Sequence, residues 1–286
     1  MNVLVKRNIK LYFRDKSAVF FSLLSVIIII GLYALFLAGV WLPSPLKGIP
    51  AAEYLMNSWL MAGLLSVVSV TTTMGAFGIM IDDRTKKIDR DFFASPVKRS
   101  SIAAGYLGST FFIGVLMSLV TALLAELYIS YKGGEWLPPA NLFRLFLLIL
   151  LSTVTNTAMV SFLVSFFKRQ SAFGTASTVI GTLIGFLTGI YLPMGELPDS
   201  VQAVIKLFPP AHAALLFRQV MTEASLKKAF ASVPASSVKE FKEYMGITFS
   251  FGGHELAPWV SVGFLIGTAF VFYGLLVLNL SRKKKE

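Results

Sequence analysis

Carboxylates are the first place to look for chemistry in this chain. Asp82, Asp83, Asp89 and Asp91 crowd one short stretch, and paired carboxylates are what acid–base work on a lipid substrate would need. Each has a cation close by in Arg84, Lys86, Lys87 or Arg90, so the stretch reads as a docking loop rather than a catalytic pair. Glu126 is the one acid inside an apolar run, which makes it a candidate for moving an ion or proton. It falls near the end of its run, where reaching the interface is the simpler role. His212 and His254 lie outside the runs and are too few for a histidine metal site. Cysteine is absent, which excludes disulfides, iron–sulfur clusters and thiolate zinc. No GxxxxGK[ST] phosphate loop occurs, so ATP is not held through that motif. The sequence therefore predicts no catalytic residue, no metal and no directly bound cofactor.

The surroundings of these residues are mostly apolar. Of 286 residues 55% are hydrophobic and 14% charged, where a soluble domain carries about a quarter charged. Six runs are long enough for a membrane-crossing helix: about 18–40, 57–81, 104–128, 143–167, 172–192 and 259–280. The first run exceeds a signal-peptide core and has residues 1–17 ahead of it, so it reads as a retained span. The expected fold is an all-α integral membrane protein of six spans, a single domain over 1–286. An interfacial helix precedes the first span, and short re-entrant or external helices separate the fifth from the sixth.

Charge divides the loops. Lys6, Arg7, Lys10, Arg14, Lys16, the cations of 84–99, Lys168, Arg169 and the tail Arg282 to Lys285 fall on one side. The entire net charge of +11 belongs to that side, and the other side balances. The positive-inside rule makes it cytoplasmic, with both termini inside a multi-pass bacterial or archaeal plasma membrane protein. A basic patch for nucleic acid would not segregate in this way.

Within this frame, Val5, Ile9, Tyr12 and Phe13 form one apolar stripe while Lys6, Lys10 and Arg14 repeat on another face. That is the pattern of a helix lying on anionic head groups. Loop 82–100 can hold a short helix with Phe92 and Phe93 as an apolar knob, limited by Pro96. The fifth span spaces Ser177, Gly181, Gly185 and Gly189 four apart, a flat face for close helix packing or a dimer seam. The second span carries Thr71, Thr72 and Thr73, whose hydroxyls can bond their own backbone. After the fifth span come Pro193, Leu197-Pro198, an amphipathic stretch, Pro209-Pro210 and Arg218, which suits a chain folding back toward the bilayer. The external region 193–257 ends in a Ser- and Lys-rich half that reads as an exposed helix or loop.

Two of these stretches resemble the ABC-2 type permeases, the transmembrane subunits of ATP-binding cassette exporters. One is Asp83-Arg84 followed by Ser95-Pro96-Val97-Lys98-Arg99. The other is Gly189, Pro193, Leu197-Pro198, Pro209 and Arg218. The chain departs from the family pattern at Lys87, often Gly, and at Tyr106, often Lys after a Gly.

The resemblance implies half of a permease dimer, homo- or heterodimeric, served by separate ABC ATPase subunits that hold ATP and Mg. Loop 82–100 would be the coupling element, with Arg90, Asp91, Phe92, Phe93 and Pro96 seating on the ATPase. The pathway would run between the second and fifth spans, lined by Thr71, Thr72, Met74 and Phe77 opposite Thr182 and Phe186. Pro193, Leu197, Pro198, Pro209 and Arg218 would belong to a re-entrant segment. So apolar a lining suits export of a drug, peptide antibiotic or lipid-like cargo. The alternative is an ion-driven secondary transporter working as a dimer, in which Glu126 would matter most.

Overall fold

The computed structural model describes residues 2–32, 51–231, 233–252 and 254–282. It is helical almost throughout. Helix α1 (Asn2–Arg14) passes through Asp15 into α2 (Lys16–Leu32). Then come α3 (Ala52–Thr85), the short α4 (Ile88–Ala94), α5 (Arg99–Tyr131), α6 (Pro139–Val164) and α7 (Gln170–Leu187). A 3₁₀ turn (Met194–Glu196), α8 (Asp199–Lys206), α9 (Pro209–Met221), α10 (Glu223–Ala229) and α11 (Ala235–Tyr244) follow. A two-strand hairpin, β1 (Ser250–Phe251) and β2 (His254–Glu255), leads to α12 (Pro258–Arg282).

Five helices (α3, α5, α6, α7 and α12) are long and apolar enough to cross a bilayer. They coincide with five of the six runs; α2 carries the described part of the first run, and 33–50 lie outside the described residues. A sixth crossing by the same test would be α8 with α9, but that pair bends by 88°. Leu207 and Phe208 form the corner, and Pro209 and Pro210 begin α9, where missing amide donors cost nothing. The bend falls at the Pro209-Pro210 pair.

α3 is the central pillar. Of its most apolar stretch 72% is buried, against 17% for α7 and for α12. It packs on α5, α9, α6 and α7. Apolar side chains all round suit a helix enclosed by others. Within this core a polar seam joins three positions. Asn156 Nδ2 donates to Ser69 Oγ at 2.8 Å and to Ser152 Oγ at 3.3 Å, cross-bonding α3 to α6 in apolar surroundings.

The breaks follow from residue type. Gly133 takes φ +82° to end α5, and Pro139 starts α6. α7 stops earlier than its apolar run because Gly189 turns left-handed at φ +65°. The Ser- and Lys-rich half contains α11, a helix with most of its residues exposed, but residues 219–257 as a whole are anchored by buried side chains. They fold into α10, α11 and the hairpin, with Leu226, Phe241, Met245, Ile247 and Phe249 buried against one end of the bundle.

The basic segments converge on one end. Arg7 of α1 meets Asp83 of α3, Arg84 reaches the carbonyls that end α6, and Asn279 of α12 donates to Ser165 Oγ at 2.6 Å. The described residues nearest both termini therefore share one end of the bundle.

Candidate functional site

At the basic end, α3 extends past the apolar zone. Its 34 residues span about 51 Å against a hydrocarbon core of about 30 Å. Asp83, in its last turn, is buried and serves as a hub. Arg7 grips both carboxylate oxygens at 2.7 Å each, and the Tyr106 hydroxyl donates to Oδ2 at 2.6 Å. The grip of Arg7 on Asp83 is the main reason its guanidinium is held above its ordinary pKa. Beside it, Asn8 Nδ2 donates to Ser109 Oγ at 3.1 Å. Arg84 instead caps the end of α6, donating to the Phe167 carbonyl at 3.0 Å.

α4 follows at once. Lys87 adopts φ +64°, so the chain reverses sharply into the short helix. The helix ends at Ala94, because Ser95 must be extended before Pro96. Arg90, Asp91 and Pro96 are exposed, and Phe92 is half-buried under Arg7, whose guanidinium carbon lies 5.3 Å from the ring centre. The Phe93 side chain lies outside the described residues.

At the opposite end, Arg218 is 3% exposed and has no carboxylate partner among the described residues. Its charge is met by helix ends instead. It donates to the Gly189 carbonyl just past α7 at 2.8 Å and to the Gly246 carbonyl just past α11 at 3.4 Å. Both carbonyls sit at the negative ends of helix dipoles, and the guanidinium lies 4.4 Å from the Trp59 ring centre. Gly63 admits it, since a Cβ there would stand 3.0 Å from Arg218 Nη2. Trp59 in turn donates to the Met245 carbonyl at 2.7 Å. Pro193 and Pro209 are buried around this knot, while Leu197 and Pro198 lead into α8 nearer the surface.

A family model described as ABC-2 family transporter protein matches residues 43–278. The chain belongs to the ABC-2 transporter family. Among curated proteins it is similar to the linearmycin resistance permease protein LnrN of Bacillus subtilis (strain 168). The two are 27% identical over 152 residues, 53% of this chain. The match spans 38% of that relative's length.

As a member of that family, with five helices long and apolar enough to cross a bilayer, the chain is a multi-pass membrane protein. Its two departures from the family pattern have local explanations. Lys87 occupies the left-handed conformation for which Gly is the natural residue. Tyr106 reaches the same carboxylate that a Lys there could pair with.

The residues expected along the pathway divide into two sets. Thr72, Met74 and Phe77 are buried inside the chain, the latter two packed with Val160, Val164 and Phe173. Thr71 is half-buried, and Thr182 and Phe186 are exposed. The open side of α3 at this level continues through Gly75, where a Cβ would meet nothing within 4 Å. The small-residue series on α7 is similarly mixed. Gly181 faces open space, a Cβ on Gly185 would strike the Tyr191 ring, and Gly189 shapes the turn. Ser177 bonds back to the Phe173 carbonyl at 2.8 Å.

Sequence reading missed Arg7, Tyr106 and Trp59 as organising residues. Two of them carry a signal. Arg7 stands one position off the Lys6, Lys10, Arg14 series, and Trp59 is an indole donor in an aliphatic run that needs a buried acceptor. Glu126 is buried among the described residues. It accepts from the Leu137 amide at 3.0 Å, leaving Oε1 without a partner among the described residues.

Proposed function

We propose that this chain is the membrane half of an ATP-driven exporter, moving an amphipathic or apolar cargo outward as one of two permease subunits. A separate ATPase subunit, holding ATP and Mg, seats on α4 from the cytoplasmic side. The observation that carries this reading is α4 itself. It is a short helix presenting Arg90, Asp91 and Pro96 at the basic end, joined directly to the central pillar. Closure of the ATPases displaces α4 and tilts α3 and α7. This shifts the permease between states because ATP binding favours one of them. Family membership and the likeness to a linearmycin resistance permease support a bulky amphiphile as cargo. So do the uncharged open sides of α3 and α7, where Thr71, Thr182 and Phe186 lie. We place the protein in the plasma membrane with both ends cytoplasmic, in accord with the convergence of its basic segments.

The test is a pull-down of tagged protein from its host in mild detergent, with an ATPase assay. A stoichiometric ATPase subunit that is lost on Phe92→Ala with Phe93→Ala supports the proposal. A complex and transport that survive this double change overturn it. A second reading, an ion-driven carrier, draws on buried Glu126. It requires transport without any ATPase and loss of that transport in Glu126→Gln.

A further inference from the structure

α1 has two working faces, and only one belongs to the fold. The inward face seats Leu4 against Gly105 and Val5 near Gly108, with Asn8 and Tyr12 buried. The outward face exposes Lys6, Lys10 and Arg14, flanked by Val3 at 82% and Leu11 at 41% exposure. None of these three cations pairs with an acid among the described residues. Arg7 stands between the faces. It leaves the cation series to hold Asp83 and to cover Phe92 of the short helix.

The position of α1 is also fixed. One residue, Asp15, separates it from the apolar α2, and it packs on the first turns of α5. It therefore lies at the basic end of the bundle, directly before an apolar helix. Cations on long stems beside exposed aliphatics, held at that level, fit a phosphate-bearing lipid surface better than a protein groove.

We propose that α1 binds the anionic inner-leaflet lipid surface through Lys6, Lys10 and Arg14 and transmits that contact to α4 through Arg7. The coupling of ATPase to permease then depends on lipid charge. Lipid that draws α1 toward the head groups fixes Arg7, and Arg7 sets Asp83 and Phe92 together. The transmission half of this proposal rests on the assignment of α4 as the ATPase seat; the lipid half does not.

The experiment uses the full chain, alone and with its ATPase, in phosphatidylcholine vesicles with or without phosphatidylglycerol. A fluorophore at Val3 reports the position of α1, and phosphate release reports coupling. The expected result is a fluorophore shift and a several-fold rise in ATPase rate with phosphatidylglycerol, both falling with salt. Lys6→Gln with Lys10→Gln and Arg14→Gln should weaken the lipid response by about fivefold per cation and leave the rate in neutral lipid unchanged. Arg7→Gln should keep the fluorophore shift but lose the ATPase response. Arg7→Lys, which keeps the charge without the two-pronged grip, should fall between if the fold is intact. A triple variant with an undiminished lipid response overturns the proposal, as does one that releases the ATPase, since that face would then be a protein contact. An Arg7→Gln protein with normal lipid-dependent rates also overturns it. If the fluorophore responds but no ATPase activity appears in any lipid, the assignment of α4 has failed instead, and transmission through Arg7 falls with it.

Discussion

The guanidinium of Arg218 lies over the indole of Trp59, 4.4 Å from the ring centre, and joins the ends of α7 and α11 through the Gly189 and Gly246 carbonyls. A buried cation without a carboxylate survives here because two carbonyls at helix C-termini and a π face supply the negative potential. Arg218→Met fills the space but strands both carbonyls, at about 1–3 kcal/mol each. Arg218→Lys cannot reach both at once. Both variants should lower the thermal midpoint in detergent, Met the more. A midpoint unchanged in Arg218→Met would show that the outer cap is held by apolar packing alone.

Tyr106→Lys places an ammonium next to Asp83. It should make Arg7 dispensable for folding. Arg7→Gln alone strands a buried carboxylate and should cost about 2–3 kcal/mol, while the double variant should recover most of that loss. A double-mutant cycle in thermal unfolding measures the coupling. Simple additivity of the two changes would mean that the residues act on Asp83 independently.

Gly185 and Gly181 separate local packing from assembly. Gly185→Ala drives a methyl into the Tyr191 ring and should lower the thermal midpoint, and Tyr191→Ala should restore it. A Cβ at Gly181 meets nothing within 4 Å among the described residues, so Gly181→Leu should leave the monomer's fold intact. Cross-linking in native membranes then reads whether Gly181→Leu disturbs a second copy. An unchanged dimer yield would remove Gly181 from any seam.

Lys87→Gly relieves a left-handed conformation that costs a lysine about 1 kcal/mol. The variant should unfold at a slightly higher temperature. A loss of stability there would mean that the Lys87 side chain has a compensating role.

Much of the scaffold was legible in the sequence because its signals are local. Apolar length marks α3, α5, α6 and α12, the Pro209-Pro210 pair marks the sharp corner, and Pro96 marks the end of α4. What was not legible depends on rotation about the helix axis. α3 is apolar on every side, so nothing in its periodicity says that Asp83 turns toward Arg7 or Ser69 toward Asn156. For the same reason Thr72, Met74 and Phe77 could be placed on α3 but not on its buried side. Arg218 was visible as the last residue of a motif. Its partners were not, because backbone carbonyls at Gly189 and Gly246 carry no side-chain signature.

α3 runs without a proline from Ala52 to Thr85. Trp59 is clamped under Arg218 near one end, and Asp83 is gripped by Arg7 near the other, about 36 Å away along the axis. In mechanical terms this is a strut pinned at both tips. A strut has no joint at which to absorb a push, so a displacement imposed on its Asp83 tip arrives at the Trp59 tip as a tilt or a slide. The load then falls on a single arginine seated against an indole.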